Sequence, residues 1–384
     1  LPFQGPPLTA HLEVELAGAT IHLEREVVYR YGDQAIGEVR RPVRTVPILE
    51  VSLQPSLILE PLGSTRGRRM EVLLTSNSET PLYGRLEAQL PEGLSPVEAQ
   101  AFSVEQPGGT QVLELPLVAE EDLEAGAYAV SVAAVLDSGV RLGSTFAVLD
   151  YPHIRPSQME VQAVSEMRTL DLRLPDLTRV GYIRGASDRV PELLAEVGVP
   201  LELLGPEELE NGDLGDFDAI VVGSRAYETN TALLRSNPRL LEYVQEGGTL
   251  IVQYQQYQFV RGDYAPLPMT IERPHGRVTD ETSPVRVLEP DHPVLQYPNR
   301  ISSTDWEGWV QERGLYFPST WDEAYVPLLA LQDEGRPEEL GSLLVASVGE
   351  GTYVYTGLSF FRELPAGVPG AFRLFINLLA LGEK

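Results

Sequence analysis

The 384-residue chain contains no cysteine. Disulfides, thiolate metal sites and a thiol nucleophile are therefore excluded, while the absence says nothing about compartment. Basic residues are scarce: 29 Lys and Arg stand against 56 Asp and Glu, a formal net charge of −27. Such a chain repels phosphate backbones and anionic lipid, which argues against nucleic-acid binding. No apolar run approaches the roughly 18 residues needed to span a bilayer, so no membrane span is expected. An initiating methionine and a signal-like segment are also missing. The sequence reads as a fragment or processed piece, with any targeting signal upstream of Leu1.

What is present is a 43% hydrophobic fraction, the composition of a globular protein long enough for two or three domains. Residues 1–47 alternate apolar and polar side chains through His11–Leu16, Ile21–Tyr29 and Glu38–Val43, with turns at Ala17-Gly18 and Gly32-Asp33. These are half-buried antiparallel strands. A few strands rarely bury enough surface to stand alone, so the piece is read as the C-terminal strands of a truncated β-sandwich or as strands docked on the next domain. Residues 48–150 carry candidate strands Leu49–Leu53, Met70–Ser76, Gly84–Leu90, Ala101–Val104, Gln111–Leu117, Ala127–Leu136 and Val140–Leu149. About seven strands in about a hundred residues is the count of an immunoglobulin-like sandwich. Tyr151-Pro152-His153-Ile154-Arg155-Pro156 reads as a stiff linker, and Val161–Leu174 as one or two strands at the edge of the sheet that follows.

Residues 151–384 form the third expected unit, organised around Arg179–Tyr257. Val180–Ile183, Ala219–Val222 and Leu250–Val252 are short runs rich in Val and Ile, the mark of strands buried on both faces of a parallel sheet. Between them, Val190, Leu193, Leu194 and Val197 recur at helical spacing and stop at Gly198. Leu233, Leu234, Leu240, Leu241 and Val244 do the same and stop at Gly247-Gly248. The expected fold is a doubly wound, flavodoxin-like α/β domain. Residues 255–325 lose periodicity and hold eight prolines' worth of interruption together with Trp306, Trp309 and Trp321, as a functional or cleft-covering insertion would. Leu343–Val348 and Thr352–Thr356 form a hairpin over Gly349-Glu350-Gly351, and Pro369–Leu379 is a closing amphipathic helix.

Open α/β sheets bind ligands at the carboxyl ends of their strands. That rule nominates Ser187 and Asp188 after the first strand, Ser224, Arg225 and Tyr227 after the second, and Gln253 and Tyr254 after the third. Ser187-Asp188 reads most simply as a helix N-cap, with an anion held by free amides as the functional alternative. Ser224, Arg225 and Tyr227 either contact a ligand or anchor a loop. Asp291-His292 caps a turn more readily than it forms a catalytic pair. Asp305 and Glu307 are spaced for paired-carboxylate chemistry, but beside Trp306 and Trp309 they read as the rim of a packed loop. Trp306 is also the candidate for stacking on a sugar ring, against the plainer role of core anchor.

The succession Tyr151–Ile154, Gly181–Gly185, Asp218–Tyr227, Gly248–Tyr254, Trp309–Gly314 and Gly351–Leu358 resembles the C-terminal region of long bacterial PIG-L-type (LmbE-like) deacetylases. In that architecture a zinc-dependent N-deacetylase domain comes first, then β-sandwich modules, then a domain similar to class I glutamine amidotransferases and ThuA-like proteins. The family's zinc sits on a His-Pro-Asp-Asp segment plus a distant histidine, and none of His11, His22, His153, His275 or His292 has that context. The amidotransferase-like family places a cysteine on a sharp turn after a strand. By chain order that turn follows Leu250–Val252, where this chain has Gln253-Tyr254-Gln255-Gln256.

The resemblance therefore implies a non-catalytic accessory region serving as scaffold, interface or glycan-recognition element, with the hydrolase upstream. It assigns no catalytic residue, no metal ligand and no cofactor within these residues, zinc belonging to the upstream domain. The expected partners are that domain or its cleaved chain, a glycan, and further copies in a homo-oligomer, in an extracytoplasmic setting. Two alternatives stand beside it: an α/β domain with its own hydrolase activity using non-cysteine residues, and a free-standing carbohydrate-binding protein.

Overall fold

The computed structural model describes residues 5–64, 67–120, 122–151, 153–154 and 156–383. Leu1 and, within the expected linker, Pro152 and Arg155 lie outside the described residues. The chain divides into two compact units: Leu1–Ile58 with Gly63–Arg168, and Leu59–Leu62 with Thr169–Lys384. The division falls at Arg168 rather than at residue 150, and residues 1–47 belong with the first unit.

The first unit opens with two hairpins, β1 (Thr9–Leu16) with β2 (Ala19–Glu26) and β3 (Val28–Asp33) with β4 (Gly37–Pro42). The alternation expected here is present, but one face of β1 and β2 is uncovered: Leu12, Val14 and Ile21 are 47%, 42% and 40% exposed. There follow β5 (Leu49–Gln54), β6 (Leu57–Pro61), β7 (Arg68–Ser76), β8 (Leu82–Gln89), β9 (Gln100–Val104), β10 (Thr110–Leu117), β11 (Gly126–Leu136), β12 (Arg141–Leu142), β13 (Ser144–Leu149), β14 (Ser157–Gln162) and β15 (Val164–Leu170). One sheet runs β10-β7-β5 and another contains β15-β11-β8-β9. Inward residues of both, including Val51, Val72, Leu115, Leu86, Phe102 and Val132, join one apolar cluster, as alternation with period two requires.

The single strand expected over Val140–Leu149 breaks at Gly143, because β12 pairs with β11 while β13 pairs with β14. β14 and β15, expected at the edge of the α/β sheet, instead lie beside β13 and β11.

In the second unit β16 (Val180–Ile183), β17 (Leu201–Leu203), β18 (Ala219–Val222), β19 (Thr249–Gln253), β25 (Val326–Pro327), β27 (Leu343–Val348) and β28 (Gly351–Thr356) make a seven-stranded sheet of order β17-β16-β18-β19-β28-β27-β25. The first five are mutually parallel; β27 runs antiparallel to them, and β25, antiparallel to β27, runs with the first five. β16, β18 and β19 are buried at every position, which is why they read as unbroken apolar runs. The chain links them through α1 (Val190–Glu196), α2 (Pro206–Asn211), α3 (Ala226–Thr229) and α4 (Thr231–Gln245). Gly198 and Gly247, at φ 107° and 109°, end α1 and α4 where left-handed backbone is needed. The edge strand β17 was not anticipated; it is three residues long and two of them are exposed.

The segment expected to be irregular is built of short ribbons. After α5 (Tyr257–Arg261), β20 (Met269–Thr270) pairs with β24 (Thr320–Trp321), β21 (Gly276–Val278) with β23 (Gly314–Phe317), and β22 (Val285–Val287) with β26 (Leu329–Leu331). α6 (Pro293–Gln296) lies between them, and α7 (Phe360–Glu363) and α8 (Pro369–Ala380) close the chain. No helix among the described residues is long and apolar enough to cross a membrane.

Candidate functional site at the carboxyl ends of the parallel strands

Asp188 is buried directly after β16. Its Oδ2 accepts from the Tyr182 hydroxyl at 2.7 Å and the Gly185 amide at 3.1 Å, and its Oδ1 from the Val190 amide at 3.1 Å. The Val190 amide at the start of α1 is thus served by the chain's own carboxylate, and a bound anion would face that carboxylate. The anion-binding reading of Ser187-Asp188 is corrected on this ground. The helix cap position is Arg189, one residue later than expected, and Ser187 is exposed with a left-handed backbone, φ 51°. Burial raises the Asp188 carboxyl above its usual range, opposed by the Tyr182 hydroxyl and the two amides.

The polar chain continues across the sheet. Gln253 donates from Nε2 to the Tyr182 hydroxyl at 2.8 Å, and Ser224 donates to Gln253 Oε1 at 3.4 Å. Gln255 Nε2 donates to the Gly223 and Gln253 carbonyls, both at 2.9 Å, while its Oε1 accepts the Tyr227 amide. Ser224, Gln253 and Gln255 are buried, and their side chains are hydrogen-bonded within the protein, to Tyr182, to backbone groups and, for Ser224, to Gln253. Tyr227 is buried: its ring packs on Phe259 and Tyr264 and its hydroxyl donates to Asn237 Oδ1. The expected strand-end pocket is filled from within by amide side chains long enough to bridge neighbouring strands.

Above this layer lies a row of rings. Tyr254 packs nearly parallel to Tyr316 at 5.8 Å and against Phe361 at 5.1 Å. Tyr316 stacks on His275 at 3.8 Å and meets Tyr257 edge-on at 5.4 Å. The guanidinium of Arg273 sits 4.1 Å over Tyr257 at one end, and that of Arg362 4.8 Å over Phe361 at the other, a favourable cation–π placement. Arg225 is held bidentate by Glu228, both contacts at 2.7 Å. Beneath, buried Glu312 ties down Arg277 at 2.6 Å and Arg362 at 2.9 Å.

Four non-glycine residues bordering this end are left-handed: Ser187, Arg225, Gln311 and Tyr316, at φ 51° to 67°. Such strain collects where a surface is held for a purpose. Gln253–Gln256 contain no left-handed residue, so no sharp elbow presents Tyr254. Burial pushes the Tyr254 hydroxyl up to about 12, and lowers the His275 imidazole with help from Arg277.

Tyr316, Tyr257, His275, Arg273 and Phe361 were not nominated from sequence. The available signal was aromatic density in Gln253–Phe259, Gly314–Phe317 and Phe360-Phe361, but no local rule brings those segments together.

The remaining nominations resolve as structural parts. His292 caps α6, its Nδ1 accepting the Val294 amide at 3.3 Å, and burial lowers its pKa. Asp305 accepts from the Ser302 amide at 2.7 Å and pairs with Arg373 at 2.8 Å. Trp306 and Trp309 are buried, and Trp321 packs partly buried against the sheet core. Trp306 still lines a cleft of ≈ 680 Å³ between β22 and the turn at Ser303–Trp306, with Glu281 and Glu307 also along its walls. Gly349 and Glu350 form the β27–β28 turn, Gly349 at φ 63°. Among the described residues no group of three or more His, Asp or Glu is placed to hold a metal ion.

No family model matches the chain, and no curated protein matches it in sequence. Among solved structures it is similar to a FixG-related protein from Vibrio parahaemolyticus, 14% identical over 32% of this chain and 98% of that one, with a TM-score of 0.23. A family 123 glycoside hydrolase from Clostridium perfringens is 11% identical over 54% of this chain and 38% of that one, TM-score 0.21. Similarities of this size carry no argument about fold or function.

Proposed function

We propose that the chain is a non-catalytic accessory region of a PIG-L-type deacetylase, an immunoglobulin-like sandwich unit followed by a flavodoxin-like, amidotransferase-like α/β unit, and that it recognises glycans. The parallel strand order supports the second assignment, since β17-β16-β18-β19-β28 runs 2-1-3-4-5 in sequence.

The observation that carries the functional reading is Tyr254. In the turn Gln253–Gln256, where the resemblance would place a nucleophile, this chain has a neutral phenol whose pKa burial raises further, flanked by amides bonded within the protein. Beside it the partly exposed rings of Tyr257, His275, Tyr316 and Phe361 reach the surface, with guanidinium groups at both ends of the row. Rings of this kind stack on the apolar faces of pyranoses, and the arginines donate to hydroxyls or to an acidic sugar.

The test has two arms. The chain incubated with N-acetylated sugars and zinc is expected to release no free amine, and a saccharide panel is expected to yield a binder. Tyr316→Ala, checked for folding by circular dichroism, should weaken that binder by about tenfold, the loss of one stacking partner. Turnover by the isolated chain, or a panel without any binder, overturns the reading.

A further inference from the structure

We propose that the cleft floored by Trp306 is a second binding site, distinct from the ring row, and that its ligand is a cationic amino sugar with free amines. This cleft uses residues other than the ring row and takes a ligand of defined charge.

The cleft, ≈ 680 Å³, is within the size range of small-ligand sites, roughly 300–1,000 Å³. Its apolar wall is made by Trp306, Val285 and Ile301. Exposed Thr282 and Ser302 stand beside that wall, their hydroxyls bonded to Asp280 and Asp305 and retaining lone pairs that accept from a sugar hydroxyl. The floor is held from below. Buried Arg313 donates from Nη1 to the Trp306 carbonyl at 2.6 Å and from Nε and Nη2 to the Ser283 carbonyl at 3.0 and 2.8 Å. Its guanidinium also lies 5.4 Å from the centre of the Trp309 ring. The platform is therefore preorganised, with its donors directed at backbone rather than at a ligand.

Charge decides which sugar fits. Glu281 and Glu307 line the cleft, and neither forms an ion pair among the described residues. Arg313 is the cation lining it; burial opposes its charge, which is supported by Glu363 first and then by Asp280 and Glu281. One buried guanidinium, so supported, against the lining carboxylates of Glu281 and Glu307 leaves the cleft electronegative. An anionic sugar is repelled, and a neutral one leaves the two rim carboxylates without a charged partner. A primary ammonium on a sugar ring answers them, gaining charge-assisted bonds at the rim while the ring lies on the indole.

The experiment titrates the full chain with a glucosamine tetramer, an N-acetylglucosamine tetramer and a lysine tetrapeptide, following indole emission and heat. The glucosamine tetramer is expected to bind, with the acetylated tetramer and the peptide at least about tenfold weaker. Glu281→Gln combined with Glu307→Gln, two substitutions outside the core, should weaken the glucosamine tetramer by about tenfold. Tyr316→Ala should leave it unchanged, which separates this cleft from the ring row. Equal binding of the acetylated tetramer, equal binding of the peptide, indifference to the double substitution, or no binding of the glucosamine tetramer each overturns the proposal.

Discussion

Glu363 has no exposed surface. Its Oε2 accepts the Val310 amide at 2.9 Å, while its Oε1 is buried without a partner. Burial pushes the carboxyl up from its ordinary 4.5 to about 8, against the opposing pull of the Val310 amide and of Arg313. Because the folded pKa is raised, the folded chain binds a proton that the unfolded chain gives up across that interval. The group's contribution to stability is thus full below about 4.5 and is lost as pH rises toward about 8. Glu363→Gln keeps the acceptor for Val310 and removes the ionisation. At neutral pH the variant should be more stable than the parent by about 2 kcal/mol, with the difference vanishing in acid. Thermal melts of both proteins across the pH range check it, and a gap that widens toward acid would refute the assignment. Burial raises the Asp188 carboxyl in the same direction, but its two oxygens accept from three donors, so an amide there would break bonds that Glu363→Gln leaves intact.

At the scale of elements, β16, β18 and β19 were legible because strands covered on both faces must be apolar at consecutive positions. α1 and α4 were legible through their spacing and the glycines that stop them. β14 and β15 were visible as strands but placed on the wrong sheet, since alternation states that one face is buried and not which neighbour buries it. The candidate site was half legible for the same reason. Strand ends gave Tyr254 and Arg225, whereas Tyr316 and His275 reach Tyr254 only through the ribbons of the insertion. The turn after β18 shows how tightly the elements are fitted. A Cβ on Gly223 would lie 2.1 Å from Asp188 Oδ2 and 2.6 Å from the Gly185 nitrogen. Gly223→Ala must therefore displace the carboxylate that anchors the loop after β16. Overpacking at such a point costs about 3 kcal/mol, which should appear as a lowered melting temperature and an altered near-ultraviolet tyrosine signal. A variant with unchanged stability would mean that the Asp188 loop is not seated as described.

For the molecule as a whole, the governing quantity is the charge of −27, 56 acidic against 29 basic residues. Many of the ion pairs have substantially exposed partners, such as Arg69 with Glu114 and Arg286 with Glu338. Pairs of that kind contribute little, so the uncompensated carboxylates set the sign of the electrostatic term, and it opposes compactness. Raising sodium chloride from about 0.02 to about 0.5 M shortens the screening length from roughly 20 Å to about 4 Å. Repulsion between distant carboxylates then fades, and the melting temperature should rise by a few degrees. A fall would mean that enclosed pairs such as Glu312 with Arg277 and Arg362 outweigh the repulsion. Binding at the Trp306 cleft should respond in the opposite sense, because screening weakens attraction between the rim carboxylates and an ammonium as surely as it weakens repulsion among surface carboxylates. A neutral saccharide held by the ring row around Tyr316 has no such charge to lose, and its affinity should stay level across the same salt range. One titration in salt, read once for melting and once for each ligand, separates the three effects by sign.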